Sequence, residues 1–392
     1  MNVLYIVGGE GKRYGSEIIA MDLIASGKRN DIEYTVITAR KGVVNEACEK
    51  YGVTNYVIPF TFYVYKAMHN HFLNVIKKNL WKFRADFLTN RAVKEIERIV
   101  DLKSIDVIHT NLSRDLLGGI LAEKHNIPHI WHLQELYNAH YQLTFLKDKQ
   151  LEWMIKRANV FAAISDTVAA DWISSGVPKE KVKTVYNGVN LKKIEKKENE
   201  FENGILKIVM VGHLCPAKGQ DAVIKKLSKL SENSIKKVSF DCYGEGTDNY
   251  KSYLCELAEK NGVAFSLKGY CSEIEKKLKE YDIGVNCSRG EGFGLSTVEY
   301  MAAGLCTLVS NTGANEEIIQ NKVNGYVFDY KNENDFAEII EHLLENRQEM
   351  TDVAQTASKD AFERFSLERM QNDIADLYKR MNYRRRYSSE KN

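Results

Sequence analysis

From its first residues the chain alternates short apolar runs with stretches whose apolar residues recur at helical spacing. NVLYIV is followed by a helical pattern from Ser16 to Ser26, then by YTVITA, further helical stretches and DVIHT at 106–110. A helical segment near 113–125, PHIWHL, NVFAAIS, a helix from Asp166 and KTVYNGVN at 183–190 continue the series. LKKIEKKENEFENG then interrupts it with charge and no apolar face, which reads as a hinge over 191–203. A second series opens at Leu206 with LKIVMVG, a helix after Gly219, VSFDCYG, a helix near 248–260, VAFSLKGY, a short helix and IGVNCS. The alternation predicts an α/β chain of two doubly wound, Rossmann-like domains, 1–195 and 204–367. Ligands of such sheets collect beyond the carboxyl ends of the strands, so a cleft between the domains is the expected active site.

Composition narrows the class. The chain has 392 residues, 44% of them hydrophobic, enough for two buried cores. Its 55 basic and 53 acidic residues nearly cancel, and nothing in that balance calls for nucleic acid as a partner. Seven dispersed cysteines without a C-x-x-C pair read as reduced thiols, and MNVLYIVGGEG enters a strand without a signal-peptide pattern; both point to the cytoplasm. No apolar stretch reaches the length that spans a bilayer.

The chemistry concentrates at EGFGLSTVEYMAAG, residues 291–304. Phe293, Gly294, Leu295 and Ser296 stand where a helix should begin, so unpaired N–H groups and the positive end of the helix dipole can hold a diphosphate. Glu291 precedes that site, and Glu299 follows it by roughly 5 to 8 Å along the helix axis. In VGHLCPAKG, a strand ends at Gly212 and Lys218 opens the next turn, placed to reach a phosphate as a point charge. The glycines at 9, 11 and 15 of GGEGKRYGSE invite a dinucleotide reading, but their spacing departs from that fingerprint and no acid follows the second strand at Thr38-Ala39-Arg40. Simple turn geometry explains them too. PHIWHLQELY carries His129, His132 and Glu135, which would suit a metal only if they shared a face; strand alternation sends the two histidines to opposite faces. A satisfied core histidine is the other reading of His132, and His109 is a further candidate at a strand end. No Asp-x-Asp pair occurs, so a diphosphate would be held by protein groups rather than through a metal.

The two glutamates, with seven residues between them, resemble the Glu-x7-Glu motif of retaining family 4 glycosyltransferases, GT-B enzymes that include bacterial surface-polysaccharide transferases. YNGVN at 186–190, VGHLCPAKG and TGANEEII at 312–319 follow in the family's order. The resemblance implies a GT-B fold in which the amphipathic C-terminal helix, 368–392, crosses back to complete the first domain. It implies that Lys218 clamps the pyrophosphate, that Glu291 binds hydroxyls of the donor sugar and Glu299 the ribose, and that His132 bonds the donor sugar. Gly15, with Ser16, would let a helix start approach the donor phosphates. His213 stands where the family carries a clamp arginine, Asn190 where it has aspartate, and a single glycine at 15 where a pair is common. The implied reaction moves a hexosyl unit from a nucleoside diphosphate sugar, UDP favoured over GDP, to a saccharide or lipid-linked saccharide with retention, with no metal and no cofactor. A noncatalytic GT-B subunit, a nucleotide-sugar epimerase and a glycoside hydrolase are the other readings.

Residues 51–85 contain no acid but include Lys66, Lys77, Lys78, Lys82 and Arg84. Phe72, Leu73, Ile76, Leu80, Phe83 and Phe87 form a helical stripe there, with Trp81 nearby. Segment 62–87 therefore reads either as a peripheral contact with an anionic membrane, supplemented by Arg384, Arg385 and Arg386, or as a helix packed on its own domain.

Overall fold

The computed structural model describes every residue except 10, 13, 69, 138–142, 198–203 and 390–392, with backbone only for 384–389. The side chains of Arg384, Arg385 and Arg386 thus lie outside the described residues. The chain divides into unit 1, Met1–Asn187 with Glu368–Asn392, and unit 2, Gly188–Leu367.

In chain order the strands of unit 1 are β1 (Asn2–Val7), β2 (Glu33–Thr38), β3 (Thr54–Val57), β4 (Val64–Lys66), β5 (Val107–Thr110), β6 (His129–Leu133), β7 (Leu143–Phe145), β8 (Val160–Ala163) and β9 (Val182–Thr184). Those of unit 2 are β10 (Leu206–Val211), β11 (Val238–Tyr243), β12 (Phe265–Gly269), β13 (Ile283–Asn286), β14 (Cys306–Ser310) and β15 (Tyr326–Phe328). Among the described residues unit 1 carries a seven-stranded parallel sheet in the order β3-β2-β1-β5-β6-β8-β9, and unit 2 a six-stranded parallel sheet in the order β12-β11-β10-β13-β14-β15. The order reverses between β1 and β5 in one and between β10 and β13 in the other, which makes the carboxyl ends of those pairs the natural ligand positions.

The central strands are covered on both faces. Every residue of β5, β6, β13 and β14 is buried, which is why these segments show no alternation of apolar and polar faces and their polar members, such as His109 and His132, are buried too. Core formation in unit 2 joins Leu206, Ile208, Phe240, Ile283 and Leu308 of the sheet to Phe336, Ile340 and Met350 of the helices outside it. Each such side chain contributes about 1.5 to 3 kcal/mol when removed from water.

Three local features bear on the sequence reading. Leu191–Lys193 forms a 3-10 turn whose Leu191 is buried, Lys197 pairs with Asp282 at 3.0 Å, and the remainder of the charged segment, 198–203, lies outside the described residues. Residues 64–66 are a strand, antiparallel to β7, and only from His71 does a helix begin, running to Ile99. The Asn70 side chain caps it by accepting the Leu73 N–H at 3.1 Å. This helix packs on unit 1 through Ala85, Thr89, Ala92, Val93 and Ile96, while the Phe72–Phe87 stripe faces away from that core and is exposed. Packing on its own domain therefore does not account for the stripe. No helix among the described residues is long and apolar enough to cross a membrane.

Candidate active site

The glutamate block of unit 2 is held by three segments that meet at the ends of β10, β13 and β14. β13 closes on Asn286, whose side-chain oxygen accepts the Ser288 N–H at 3.1 Å and whose amide donates to Thr297 Oγ1 at 2.9 Å. Asn286 thereby ties the strand end to the helix Leu295–Ala302. The loop after β10 joins the same place through the Arg289 N–H, which donates to the Ala217 carbonyl at 2.9 Å. This contact delivers Lys218, whose Nζ lies 2.8 Å from Glu291 Oε2, although the two are 73 residues apart in sequence.

Glu291 is fixed more tightly than its sequence context indicates. Ser288 Oγ donates to Oε2 at 2.9 Å, and the Glu291 carbonyl accepts the Ala314 N–H at 2.8 Å. The TGANEEII turn thus supports the acid from beneath. Burial alone would raise the Glu291 carboxyl, but the charge of Lys218 and hydrogen bonds from Lys218, Ser288 and Asn286 outweigh it and hold the group below its usual range. Glu291 is ionised at neutral pH, and its side chain is 15% exposed beside a lysine that is 34% exposed. A ligand can therefore reach the pair.

Gly313 makes this support possible. Its φ is +61°, and a Cβ there would stand 2.2 Å from the Glu291 carbonyl oxygen and 2.5 Å from its nitrogen. Backbone against backbone leaves nothing to rotate aside. Gly313→Ala is expected to destabilise unit 2 by about 2 kcal/mol or more, from left-handed strain plus overpacking. Urea unfolding at neutral pH measures this, and an unchanged midpoint would refute the account.

The helix start has the predicted form with one refinement. Gly294 caps the helix at φ +95°, and Leu295 and Ser296 remain partly exposed. The Phe293 side chain instead turns into the core, edge-on to Phe365 with ring centroids 5.6 Å apart. That side chain takes no part in holding an anion. Glu299 follows one turn into the helix and is partly exposed. His213 is exposed after the end of β10; its carbonyl accepts from Gln220 Nε2 at 3.0 Å, and its ring acts on Glu245, whose carboxyl is lowered chiefly by Lys251.

Tyr300 is the residue that sequence reasoning missed. It is fully buried beneath Gly284, where a Cβ would meet the Tyr300 ring at 2.2 Å, and its hydroxyl accepts the Val211 N–H at 2.6 Å. One side chain thus fixes the end of β10 to the helix that carries Glu299. The available signal was a glycine inside an otherwise branched strand, IGVN.

In unit 1, Gly15 is the first residue of the helix Gly15–Ser26, as the glycine-loop reading expects. The Ser16 carbonyl accepts from Asn111 Nδ2 at 2.9 Å, and Tyr5 donates to Asn111 Oδ1 at 2.7 Å, so the helix start is tied to β1 and to the end of β5. Beside it, a small concavity at the ends of β1 and β2 is lined by Gly8, Gly9, Gly11, Glu17, Arg40 and Asn45.

The histidines of β6 separate as strand alternation predicts. His129 bonds Thr110 Oγ1 through Nε2 at 2.7 Å and packs on Trp131, while Glu135 accepts from Ser113 Oγ at 2.5 Å and lies 3.4 Å from Arg114 Nε. His129 is thus a core histidine bonded through Nε2, while its buried Nδ1 has no hydrogen-bond partner. His132 is also buried and has Gln134 Nε2 3.3 Å from its Nδ1. Its other neighbour is His109, 5.2 Å away between ring centroids, which in turn bonds Tyr378 of the C-terminal helix. Burial pushes His132 down to about 3, so at neutral pH it is an uncharged imidazole. Such a ring steadies developing charge with an N–H dipole rather than with a full positive charge. Within unit 1, Asp115 is a further unanticipated group: burial raises its carboxyl to about 7, and its Oδ2 has no hydrogen-bond partner.

Comparisons with known proteins agree with the fold. Residues 14–193 match the family model described as Glycosyltransferase Family 4, and residues 192–360 match that of Glycosyl transferases group 1. An uncharacterized glycosyltransferase of Methanocaldococcus jannaschii is 27% identical over 80% of this chain and 87% of its own length. The UDP-Gal:alpha-D-GlcNAc-diphosphoundecaprenol alpha-1,3-galactosyltransferase of Escherichia coli is 21% identical over 88% of this chain and 91% of its own. The crystal structure of Anabaena HepE in complex with UDP-glucose superposes with a TM-score of 0.77 at 19% identity, covering 96% of this chain and 99% of that one. With two parallel Rossmann-like sheets and both family domains in order, the chain belongs to the GT-B glycosyltransferases, with a family 4 domain followed by a group 1 domain.

Proposed function

We propose that this glycosyltransferase moves a hexosyl unit from a nucleoside diphosphate sugar, UDP favoured over GDP, to a hydroxyl of a saccharide or lipid-linked saccharide, with retention at the anomeric carbon. The observation that carries the reading is the Lys218–Glu291 pair set before the Gly294-capped helix start, with Glu299 one turn inside. An arriving diphosphate offers Lys218 a stronger anion than Glu291 does, and the ammonium shifts onto it while the first-turn N–H groups take the remaining oxygens. Glu291, ionised and freed of that contact, accepts hydrogen bonds from the sugar hydroxyls, and Glu299 accepts from the ribose. The bond from C1 to the phosphate oxygen breaks, the bond from C1 to the acceptor oxygen forms on the same face, and the acceptor proton passes to the departing phosphate. His132 donates an N–H to the donor sugar. Charge on the leaving group is met by Lys218, the helix start and His213, so the step runs without a metal. The name of the E. coli relative, which carries both a UDP-sugar and a lipid diphosphate, supports UDP and a lipid-linked acceptor. We set the reaction in surface-polysaccharide synthesis at the inner face of the membrane, with segment 62–87 as the contact.

At a UDP concentration of about 100 times Kd, the ligand adds about 2.7 kcal/mol to stability and raises Tm by roughly 5 to 10 °C. Glu299→Ala is expected to abolish that rise. Turnover with candidate UDP-sugars and acceptors, with product anomericity read by NMR, checks the chemistry; an inverted product or a strict requirement for magnesium would overturn it. Product formed without any acceptor would mark an epimerase instead, and UDP binding without turnover a noncatalytic subunit.

A further inference from the structure

The helix His71–Ile99 is built with two opposed apolar faces, of which unit 1 uses one. Ala85, Thr89, Ala92, Val93 and Ile96 pack inward. At about 100° per residue, Phe72, Leu73, Ile76, Leu80, Phe83 and Phe87 fall within an arc of roughly 100° on the other side. All six are exposed, Phe72 by 72% and Phe83 by 74%. A soluble surface rarely presents so many large apolar side chains together.

The charges around this stripe select its occupant. At the same angle per residue Lys77 and Arg84 border one side of the stripe, whereas Lys82 falls with Lys78 on the side of Asp148; Lys66 stands just ahead of the helix, and no acid occurs from 51 to 85. Some of these cations are engaged locally: Lys78 pairs with Asp148 at 2.6 Å, Lys77 donates to the Lys66 carbonyl at 2.9 Å, and Arg84 lies over the Trp81 ring. The first acid beyond them, Asp86, is paired with Lys147 at 2.9 Å. A two-fold contact with a second copy would set this patch against itself and bring cation to cation. An anionic lipid surface offers apolar depth for the stripe and negative headgroups for its borders.

We propose that residues 71–87, and not the whole of 62–87, lie in the plane of an anionic bilayer, with Phe72, Ile76, Leu80, Phe83 and Phe87 below the headgroups and Lys77 and Arg84 among them. Residues 62–66 take no part, because Tyr63 and Tyr65 are buried in unit 1. The inference refines the membrane part of the function proposed above and does not depend on the donor-sugar chemistry.

The test is flotation of the full chain with vesicles of phosphatidylcholine alone or with about a third phosphatidylglycerol, at low and high salt. Binding is expected only with the anionic vesicles and is weakened by salt. The exposed triple substitution Phe72→Ser, Leu80→Ser, Phe83→Ser and the pair Lys77→Gln, Arg84→Gln should each lower partitioning roughly tenfold or more. Far-ultraviolet circular dichroism should show both variants folded, and the UDP-induced rise in Tm, measured on the same preparations, separates a failed membrane inference from a failed donor-sugar reading. No binding to anionic vesicles, equal binding to neutral ones, or equal binding by the triple variant overturns the proposal. So does a dimer that dissociates in the triple variant while the native chain ignores vesicles.

Discussion

Lys218→Ala is expected to lower kcat/KM with a UDP-sugar by roughly 10²- to 10³-fold, the cost of losing one preorganised group that meets charge on a leaving group. The fold itself should survive, because Lys218 is partly exposed and its ion pair is with a residue of the same site. A second consequence distinguishes this from simple loss of binding. Glu291 is held low because the Lys218 charge and the hydrogen bonds around it overcome burial. Without the lysine, burial is opposed only by Ser288 and Asn286, and the carboxyl rises. The sign follows directly: a depressed carboxyl supplies stability above its unfolded pKa and loses it as pH falls through the folded value, and the variant forfeits that contribution. If Glu291 must be ionised to bind the sugar, the acid limb of the kcat/KM profile moves to higher pH in Lys218→Ala. Lys218→Arg, which keeps the charge with a different geometry, should leave that limb nearer its original place. A rate within threefold of the native enzyme, together with an unmoved acid limb, would remove Lys218 from the mechanism.

Acidification should weaken unit 1 well before ordinary carboxylates titrate. His129 and His132 are both held down to about 3 by burial, and His109 is lowered too, by burial first and then by the two neighbouring histidines. Unfolded histidines take up protons near 6.5, so below that value the unfolded chain binds more protons than the folded one and stability falls with pH. Asp115 works in the opposite direction. Its carboxyl, raised to about 7, becomes protonated in the folded state first, and stability is gained as pH drops from there toward 3.8. At pH 4 the two histidines together cost about 7 kcal/mol and Asp115 returns about 4, leaving a net loss of about 3 before His109 is counted. Urea unfolding of the full chain from pH 7 to 4, followed by the fluorescence of the buried Trp131 and Trp172 of unit 1, measures this. Asp115→Asn should steepen the decline, since it deletes the compensating proton. A midpoint that stays level or rises between pH 6.5 and 4 would contradict the buried-histidine account.

How far the sequence led depended on whether the cause was local. Strands such as CTLVS and VFAA announce themselves because a doubly covered parallel strand is largely apolar on both faces, and the Gly294 turn before LSTVEYMA marks a helix start by its own chemistry. The encounter of Lys218 with Glu291 is not local; it follows from β10 and β13 being neighbours at the reversal of strand order. The pairing of His109 with Tyr378 spans 269 residues and had no sequence signature at all. Periodicity showed the Phe72–Phe87 stripe but could not say which way it faced. Small residues, Ala85, Thr89 and Ala92, form the face that packs, because they let the helix approach its own unit closely, and larger side chains were left outside.

The C-terminal helix has a consequence for how the molecule is made. Within unit 1, Gln371 donates to the Asp22 carbonyl at 2.6 Å and accepts from Arg29, while Tyr378 lies edge-on to Tyr34 and bonds His109. Met370, Ile374 and Ala375 are buried there as well. A ribosome delivers residues 1–187 long before it delivers these, so the seat for the helix stands uncovered while all of unit 2 is translated. Unit 2, continuous from Gly188 to Leu367, has every residue it needs before the last helix emerges. The half that begins first is therefore the half that must be finished last.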